Sequence, residues 1–352
     1  MDKQRQPWLN SAISDSIFIL SPPFFSLLLI LVFPGQFQKA EGIPVVHWLF
    51  LIVFIDVAHV YSTLYRTYFN TRNLKKEYVL LTAIPILCYI AGVLVYSYDG
   101  LLFWRLLAYL AVYHFIKQQY GFMRLYSRNE RLPKYFKTID LISIYTATVY
   151  PLIFWHLKGS RNFNWFVEGD FLSFKNDLLL QISTYIYFAI ITIYLVKEII
   201  LILKERKFNI PRNFLVFGTF LSWYFGIVYF NGDFAFTTIN VISHGIPYMA
   251  LIWFFEKKKN GTLTERSKIV QLSFGKYGLF YFIIILIAFA YLEEGLWDGF
   301  IWKEHQTVFS IFAGLPQINN QYLLALIIPL LALPQSTHYV LDGFIWRKNR
   351  HF

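Results

Sequence analysis

The sequence predicts an all-α, polytopic integral-membrane bundle of about ten transmembrane helices, with both termini in the cytoplasm. Of its 352 residues, 57% are hydrophobic and only 15% are charged, whereas a soluble domain carries about 25% charged residues. The hydrophobic residues are concentrated in runs of about 18 or more, which is the length that spans a bilayer as a helix. The basic residues lie between these runs and favour alternate sides. Together these observations exclude a soluble globular fold.

Ten apolar runs are long enough to be membrane spans. In chain order they cover approximately residues 15–33, 44–64, 77–97, 101–124, 138–157, 178–203, 212–230, 235–256, 275–292 and 322–347. The linkers are mostly shorter than about 20 residues, so 1–352 is predicted to be a single transmembrane domain. The first run is followed at once by others, which predicts a signal anchor that is not cleaved. The longest gap, 293–321, is predicted to be an interfacial or re-entrant segment.

The Lys and Arg residues follow the positive-inside pattern. One set of alternate segments holds 24 of the 32 basic residues, and it consists of the N-terminus, 65–76, 124–137, 204–212, 257–276 and the C-terminus. This asymmetry predicts cytoplasmic termini and a multi-pass location in the cell (inner) membrane. It also explains the net charge of +11 as a consequence of topology, so membrane lipids are the predicted partners and no nucleic acid is expected.

Several common kinds of site are excluded by the sequence. Cys88 is the single cysteine, so an intrachain disulfide or a cysteine-based zinc or iron–sulfur site cannot form. The segments HExxH, GxSxG and GxGxxG are absent, which removes the usual signatures of zinc proteases, serine hydrolases and dinucleotide sites. The desaturase-type boxes HxxxH and HxxHH are absent too. No nucleotide-binding or other organic-cofactor residues are predicted.

Four of the eight histidines lie deep inside apolar runs. They are His59, His114, His244 and His338, on the second, fourth, eighth and tenth runs. An ionisable group at this depth costs about 2–3 kcal/mol unless it has a partner or a function. All four runs are even-numbered and cross the membrane in the same direction. At about 1.5 Å per residue the four rings fall within a slab roughly 10 Å thick. Four imidazoles at one level predict a metal site inside the bundle.

Polar residues beside these histidines are suited to support a metal site. Asp56 precedes His59 by three residues and Asp342 follows His338 by four, so each acid shares a helix face with an imidazole. A carboxylate that accepts the second ring N–H of a ligating histidine fixes its tautomer and raises its basicity. Asn240, four residues before the histidine of the eighth run, could do the same as an amide.

The fourth run carries two further candidate residues. Lys117 and Gln118 follow His114 directly in the segment "YHFIKQQY". Lys117 lies about one turn nearer the cytoplasm, on the His114 face. It could neutralise Asp56 or Asp342, or bind a substrate or an O₂-derived anion. The two aspartates are candidate supporting residues or alternative metal ligands.

The ligand chemistry leaves several metals open. Imidazole favours iron, zinc, copper and nickel over harder ions. Four neutral histidines around Fe(II) leave open octahedral positions at which O₂ and substrate could approach. If Asp56 or Asp342 binds the metal directly, a 2-His-1-carboxylate-like or dinuclear centre becomes feasible. Zinc would instead favour a tetrahedral site and hydrolysis. The reading without a metal is that the histidines are hydrogen-bonded residues that hold helices together.

The segments "AYLAVYHFIKQQYG" and "SHGIPY", with one deep histidine on each of four spans, resemble the Brp/Blh group of membrane carotene dioxygenases. That resemblance implies an all-helical fold and a non-haem Fe(II) held by four histidines. It also implies cleavage of carotene with O₂ to give retinal. The ligands implied here are His59, His114, His244 and His338.

Three functions are compatible with these residues. The first is an integral-membrane metalloenzyme, a non-haem iron oxygenase or dioxygenase acting on a lipid or a hydrophobic, carotenoid-like isoprenoid. Its metal would be Fe(II), with Zn or Cu as alternatives. The second is a proton- or ion-coupled transporter that uses intramembrane His, Asp and Lys residues. The third is a haem b protein with two axial histidines, which would leave two histidines without a role. Pro247 and Pro334 interrupt the eighth and tenth runs and are compatible with a metal site or a gate.

Overall fold

A computed structural model describes residues 6–37, 42–206, 208–258 and 267–346. The all-α prediction is confirmed there, because these residues form helices and no β-strand. The longer helices are, in chain order, α1 Ala12–Leu20, α2 Pro22–Val32, α3 Val45–Tyr65, α4 Thr71–Lys76, α5 Tyr78–Tyr98, α6 Gly100–Tyr126, α7 Lys134–Lys158, α8 Asp177–Glu205, α9 Ile210–Trp223, α10 Asp233–Lys258, α11 Lys268–Phe274, α12 Gly278–Trp302, α13 Gln321–Leu331 and α14 Leu333–Ile345.

Six of the described helices are long and apolar enough to cross a membrane, and they are α3, α5, α7, α8, α10 and α12. Two bent pairs, α1 with α2 and α13 with α14, raise this number to eight if each pair is one span. The predicted fourth and seventh spans are also helical. However, α6 contains Arg105, Lys117 and Arg124, and α9 continues only into a π-helical segment, Tyr224–Tyr229. For these reasons the helices at the fourth and seventh predicted spans are not among the six that are long and apolar enough to cross a membrane.

The chain divides into two compact units. The first comprises Met1–Gly42 and Phe115–Pro247, and the second comprises Ile43–His114 and Tyr248–Phe352. Helices α6 and α10 each contribute residues to both. In the first unit α7 packs against α8 and α9, and α2 packs against α9.

The second unit is built around α3, which packs along α12 and also contacts α14. Its core includes Val53 and Val57 of α3, Tyr248 of α10, and Phe282 and Leu286 of α12, all nearly inaccessible. Helix α5 packs against both α13 and α14. The close approach of α5 and α13 requires a glycine, because a Cβ at Gly92 would lie 2.8 Å from Pro329 Cβ.

Two helices of the second unit depart from regular α geometry near a deep histidine. Helix α3 is π-helical over Leu49–Val57 and returns to α geometry at Ala58–Ser62. Such π segments are frequent at functional sites. Helices α13 and α14 meet at a 43° bend, and Pro334 occupies the first turn of α14, where a missing N–H is tolerated. Pro247, by contrast, is accommodated inside the continuous helix α10.

The first part of the 293–321 segment, which follows the ninth predicted span, is helical. Helix α12 continues past residue 292 to Trp302, and Lys303 follows it with a φ of 58°. The Lys303 ammonium donates to the backbone carbonyls of Ala313 and Leu315 at 3.1 and 2.7 Å. Residues 303–315 are thereby fixed against the end of α12. Whether 293–321 lies at a membrane interface stays a prediction.

Candidate metal centre

Three of the four predicted histidines come together in the second unit. His59 on α3, His114 on α6 and His338 on α14 are 1%, 1% and 2% exposed. One ring nitrogen from each lies within 4.8 Å of the others. Among the described residues, these three histidines are the group of potential metal ligands that lie close enough to share one ion. The arrangement therefore supplies three converging imidazoles in a water-poor interior.

The spacing of two of these rings already matches metal coordination. Nε2 of His114 lies 3.1 Å from Nε2 of His338. Two imidazoles bound at about 2.1 Å to one ion, at angles between octahedral and tetrahedral, have nitrogens about 3.0–3.4 Å apart. The His59 ring lies at centroid distances of 5.1 Å from His338 and 6.4 Å from His114, so it closes the third side of the centre.

The outer nitrogens of the same two rings face oxygen partners. His338 Nδ1 lies 2.7 Å from the Thr63 hydroxyl, and His114 Nδ1 lies 3.4 Å from Oδ2 of Asp342. The Tyr248 hydroxyl is 3.1 Å from the Thr63 hydroxyl and 2.5 Å from Oδ1 of Asp342. Metal-ligating histidines usually direct their second nitrogen to such a partner, which fixes the ring orientation.

The hydroxyl groups of this network determine where the protons lie. A carboxylate only accepts, so the Tyr248 hydroxyl donates to Asp342. Its 3.1 Å contact with Thr63 then needs the Thr63 hydroxyl as donor, and Thr63 accepts from Nδ1–H of His338. The opposite direction would leave two oxygens in contact with no proton between them. We therefore assign the Nδ1–H tautomer to His338, and the Asp342 acceptor favours the same tautomer for His114.

These tautomers leave two lone pairs facing each other, because Nε2 of His114 and Nε2 of His338 are then both acceptors at 3.1 Å. Two buried acceptors in contact need a proton or a cation between them. A shared proton would serve only this pair, whereas the third imidazole, His59, converges on the same position. The residues present therefore fit a metal ion.

The third ring has a looser environment. His59 Nδ1 lies 3.7 Å from Oδ1 of Asp56, which is longer than a hydrogen bond. The Asp56 side chain is 35% exposed. Asp56 therefore lies near His59, as predicted, but at 3.7 Å it does not form the predicted hydrogen bond to the ring.

A buried arginine at the end of α3 supports the Asp342 side of the centre. The Arg66 guanidinium lies over the rings of Phe255 and Trp346, 4.4 and 4.2 Å from their centroids, and 3.7 Å from Glu256. Burial lowers the pKa of Arg66, and the Glu256 carboxylate opposes that shift. The Trp346 indole N–H in turn donates to Oδ1 of Asp342 at 2.8 Å. The acceptor beside His114 is thus held from two sides.

The fourth predicted histidine belongs to the first unit. The His244 ring stacks on Phe115 at a centroid distance of 3.4 Å. Gln118 Nε2 donates to the His244 carbonyl at 3.0 Å, and Asn240 Nδ2 donates to the Phe236 carbonyl of its own helix at 2.8 Å. The group of three histidines does not include His244, and its role as a fourth ligand stays a prediction.

Lys117 has an aromatic environment in the first unit. Its ammonium lies 3.3 Å from the Tyr145 hydroxyl and 5.0 Å from the centroid of the Tyr120 ring. Cation–π contacts of this kind stabilise a cation in a poorly hydrated setting. The predicted pairing of Lys117 with Asp56 or Asp342 stays untested.

Three residues of the centre were not singled out from the sequence. Thr63 follows His59 by four residues, and Trp346 follows Asp342 by four, so the same-face spacing used for the aspartates would have found both. Tyr248 lies one turn after the histidine of the eighth run, and nothing in its local sequence links it to Asp342. Its role depends on contacts between distant parts of the chain.

The first unit also contains an ionic cluster that was not predicted from the sequence. Lys197 contacts Asp140 and Glu198, and Arg212 contacts Asp140, Glu198 and Glu130. Except for Glu130, these side chains are nearly fully buried. Each carboxylate of this ionic cluster has a cationic partner, as buried charges require. The cluster is consistent with a structural link between α7, α8 and α9.

Comparisons with protein-family models, with curated proteins and with solved structures give no match for this chain. We therefore base the functional proposal on the geometry of its three-histidine centre.

Proposed function

We propose that the chain is an integral-membrane metalloenzyme, a non-haem iron oxygenase acting on a lipid or a carotenoid-like isoprenoid. The observation that carries this proposal is the pair of facing Nε2 atoms of His114 and His338, 3.1 Å apart, with His59 completing the group. Hydrogen bonding between helices alone does not account for two Nε2 acceptors that face each other with a third imidazole beside them.

Iron is the metal that best joins this ligand set to the proposed reaction. Three imidazoles without a carboxylate among them suit iron, copper or zinc. In an octahedral Fe(II) site they leave three open positions, enough for O₂ and a substrate group, whereas zinc with three histidines adds one water and favours hydrolysis. The resemblance to membrane carotene dioxygenases favours iron among these metals. Bound Fe(II) would supply the activation of O₂.

The protein's own residues would hold the ligands and exclude water. Thr63 and Asp342 keep the His338 and His114 rings in the tautomers that present Nε2 to the metal. The low exposure of all three histidines keeps the centre away from bulk water and favours an apolar substrate that enters from the lipid. Tyr248 holds a proton at its hydroxyl oxygen, between Thr63 and Asp342.

The haem b alternative fits the geometry less well. Two axial histidines bind opposite faces of a haem iron, which separates their ligating nitrogens by about 4 Å with the macrocycle between the rings. His114 and His338 instead approach to 3.1 Å with an interplanar angle of 64°. This pair would have to separate to admit a haem.

The carrier alternative would have to use a different group of residues, the ionic cluster of the first unit. The ionic cluster of Lys197, Asp140, Arg212 and Glu198 places charges inside apolar helices, a feature of many ion pathways. Because every one of its carboxylates already contacts a cation, the cluster is better suited to holding helices than to binding a travelling ion.

The first test is a metal and activity analysis of the purified protein. We expect about one iron per chain, no Soret band, and O₂ consumption that depends on added carotenoid or another polyisoprenoid in detergent or liposomes. A Soret band would instead support the haem b hypothesis. If the purified protein contained no metal and transported ions across liposome membranes, the carrier hypothesis would be supported.

We also propose ten spans with both termini in the cytoplasm. The support is the helical structure at all ten predicted runs and the distribution of Lys and Arg. In a Cys88→Ser background, Ser173→Cys should react with a membrane-impermeant maleimide in intact cells, and Asn129→Cys only after permeabilisation. Labelling of both positions in intact cells would contradict this orientation.

A further inference from the structure

A second buried acid in the second unit takes no part in the three-histidine centre. Glu293 lies in α12, whose sequence is otherwise almost entirely apolar before it, and it is 5% exposed. A carboxyl group at such a position costs several kcal/mol unless partners compensate it. The structure supplies those partners.

Glu293 is hydrogen-bonded to the two helices that carry His59 and His338. The Tyr61 hydroxyl of α3 donates to Oε2 at 2.6 Å, and the Gln335 amide of α14 donates to Oε1 at 3.4 Å. Each carboxylate oxygen thus accepts a hydrogen bond from a different helix. We call Tyr61, Glu293 and Gln335 the Glu293 bridge.

The positions of these donors determine what the Glu293 bridge can control. Tyr61 is two residues after His59, and at about 100° per residue it lies on nearly the opposite side of α3. A contact there fixes the rotation of α3 about its axis, and with it the direction of the His59 ring. Gln335 precedes His338 by three residues and shares its face of α14.

Helix α3 needs such an external contact. Its π-helical segment Leu49–Val57 is followed by one α-helical turn and then by the 3₁₀ turn Thr63–Tyr65. The changes in helical pitch surround His59, so a regular hydrogen-bond ladder does not set its orientation. The Tyr61 ring also stacks on Phe289 of α12 at 5.2 Å, one turn before Glu293.

We propose that Glu293 is a positioning residue that orients His59 and His338 toward a common metal ion through Tyr61 and Gln335. This inference rests on the proposed metal centre. It assigns Glu293 no contact with metal or substrate. Its neighbour Glu294 is on the same helix and takes no part in the Glu293 bridge, which makes it a matched control.

The test is a Co²⁺ titration of the purified full-length protein, followed by the d–d absorption spectrum. We expect Glu293→Leu to weaken Co²⁺ binding about tenfold or more and to shift the spectrum, as loss of a supporting partner does in other metal sites. Glu294→Leu should leave both measurements unchanged. Glu293→Gln should restore binding, because an amide can accept from Tyr61 and donate to a reoriented Gln335.

If Glu293→Leu does not fold, Tyr61→Phe and Gln335→Leu carry the test, because each removes a single hydrogen bond. Each should shift the Co²⁺ spectrum. Normal binding and spectra in the variants that fold would overturn the Glu293 bridge and leave the metal centre intact, as would equal impairment by Glu293→Leu and Glu294→Leu. A wild-type protein that binds no Co²⁺, Fe²⁺ or Zn²⁺ would overturn both proposals.

Discussion

Replacement of His114 by alanine is expected to reduce the iron content from about one ion per chain to background, while the protein remains folded. The reason is geometric, because His114 supplies one of the two Nε2 atoms that face each other at 3.1 Å. Without it, His338 and His59 offer only two ligands. The lost imidazole leaves a small cavity, whose cost of about 1–3 kcal/mol is within the range that folded proteins tolerate.

The measurement combines metal analysis with size-exclusion chromatography and thermal unfolding. His156→Ala is the matched control, because His156 Nδ1 donates to the Leu152 carbonyl of its own helix at 2.6 Å and the residue is not in the metal group. The same assay on His244→Ala decides whether the fourth predicted ligand contributes. Retention of iron by a folded His114→Ala protein would exclude His114 as a ligand.

The helices and the depth of the histidines were predictable because both follow from apolar run length. A run of about 20 residues fixes where a span begins and ends, and alternating direction then places residues of even-numbered spans at comparable depths. For His59, His114 and His338 this information was enough to anticipate that the rings lie together. Depth is a one-dimensional quantity that sequence position records directly.

The rotation of a helix about its axis is a different quantity, and this is why His244 was harder to place. An apolar stripe shows rotation only when one face meets lipid and the other meets protein. In α10, 78% of the residues in its most apolar stretch are buried within the protein. The hydrophobic pattern of α10 therefore does not show which side of the helix faces lipid. Nothing local in the sequence could therefore indicate that the His244 ring stacks on Phe115.

The proton network around the centre was predictable only in part. Same-face spacing connects Thr63 to His59 and Trp346 to Asp342. The link from Tyr248 to Asp342 joins residues 94 positions apart in the chain, and only tertiary packing brings them together. It is nevertheless this link that determines the donor direction through Thr63.

The strongest consequence of that donor direction is the effect expected for Asp342→Asn. Tyr248 and Trp346 both donate to Oδ1 of Asp342, at 2.5 and 2.8 Å. An asparagine must keep its oxygen at that position, because the Trp346 N–H can only donate. Its amide NH₂ then faces Nδ1 of His114 and forces that nitrogen to accept. His114 would carry its proton on Nε2, where it can no longer bind a metal.

We therefore expect Asp342→Asn to weaken metal binding about 10- to 100-fold with little change in unfolding temperature, since every hydrogen-bonding group keeps a partner. Asp342→Leu should instead destabilise the fold, because it leaves the buried donors of Tyr248 and Trp346 unpaired at about 1–3 kcal/mol each.

Asp56→Asn should have a smaller effect on metal binding than Asp342→Asn, since Asp56 is 3.7 Å from His59 Nδ1 and 35% exposed. Metal titrations combined with ¹⁵N shifts of labelled histidine would report affinity and tautomer together. An Nδ1–H tautomer of His114 in Asp342→Asn, with unchanged affinity, would contradict the assigned proton network.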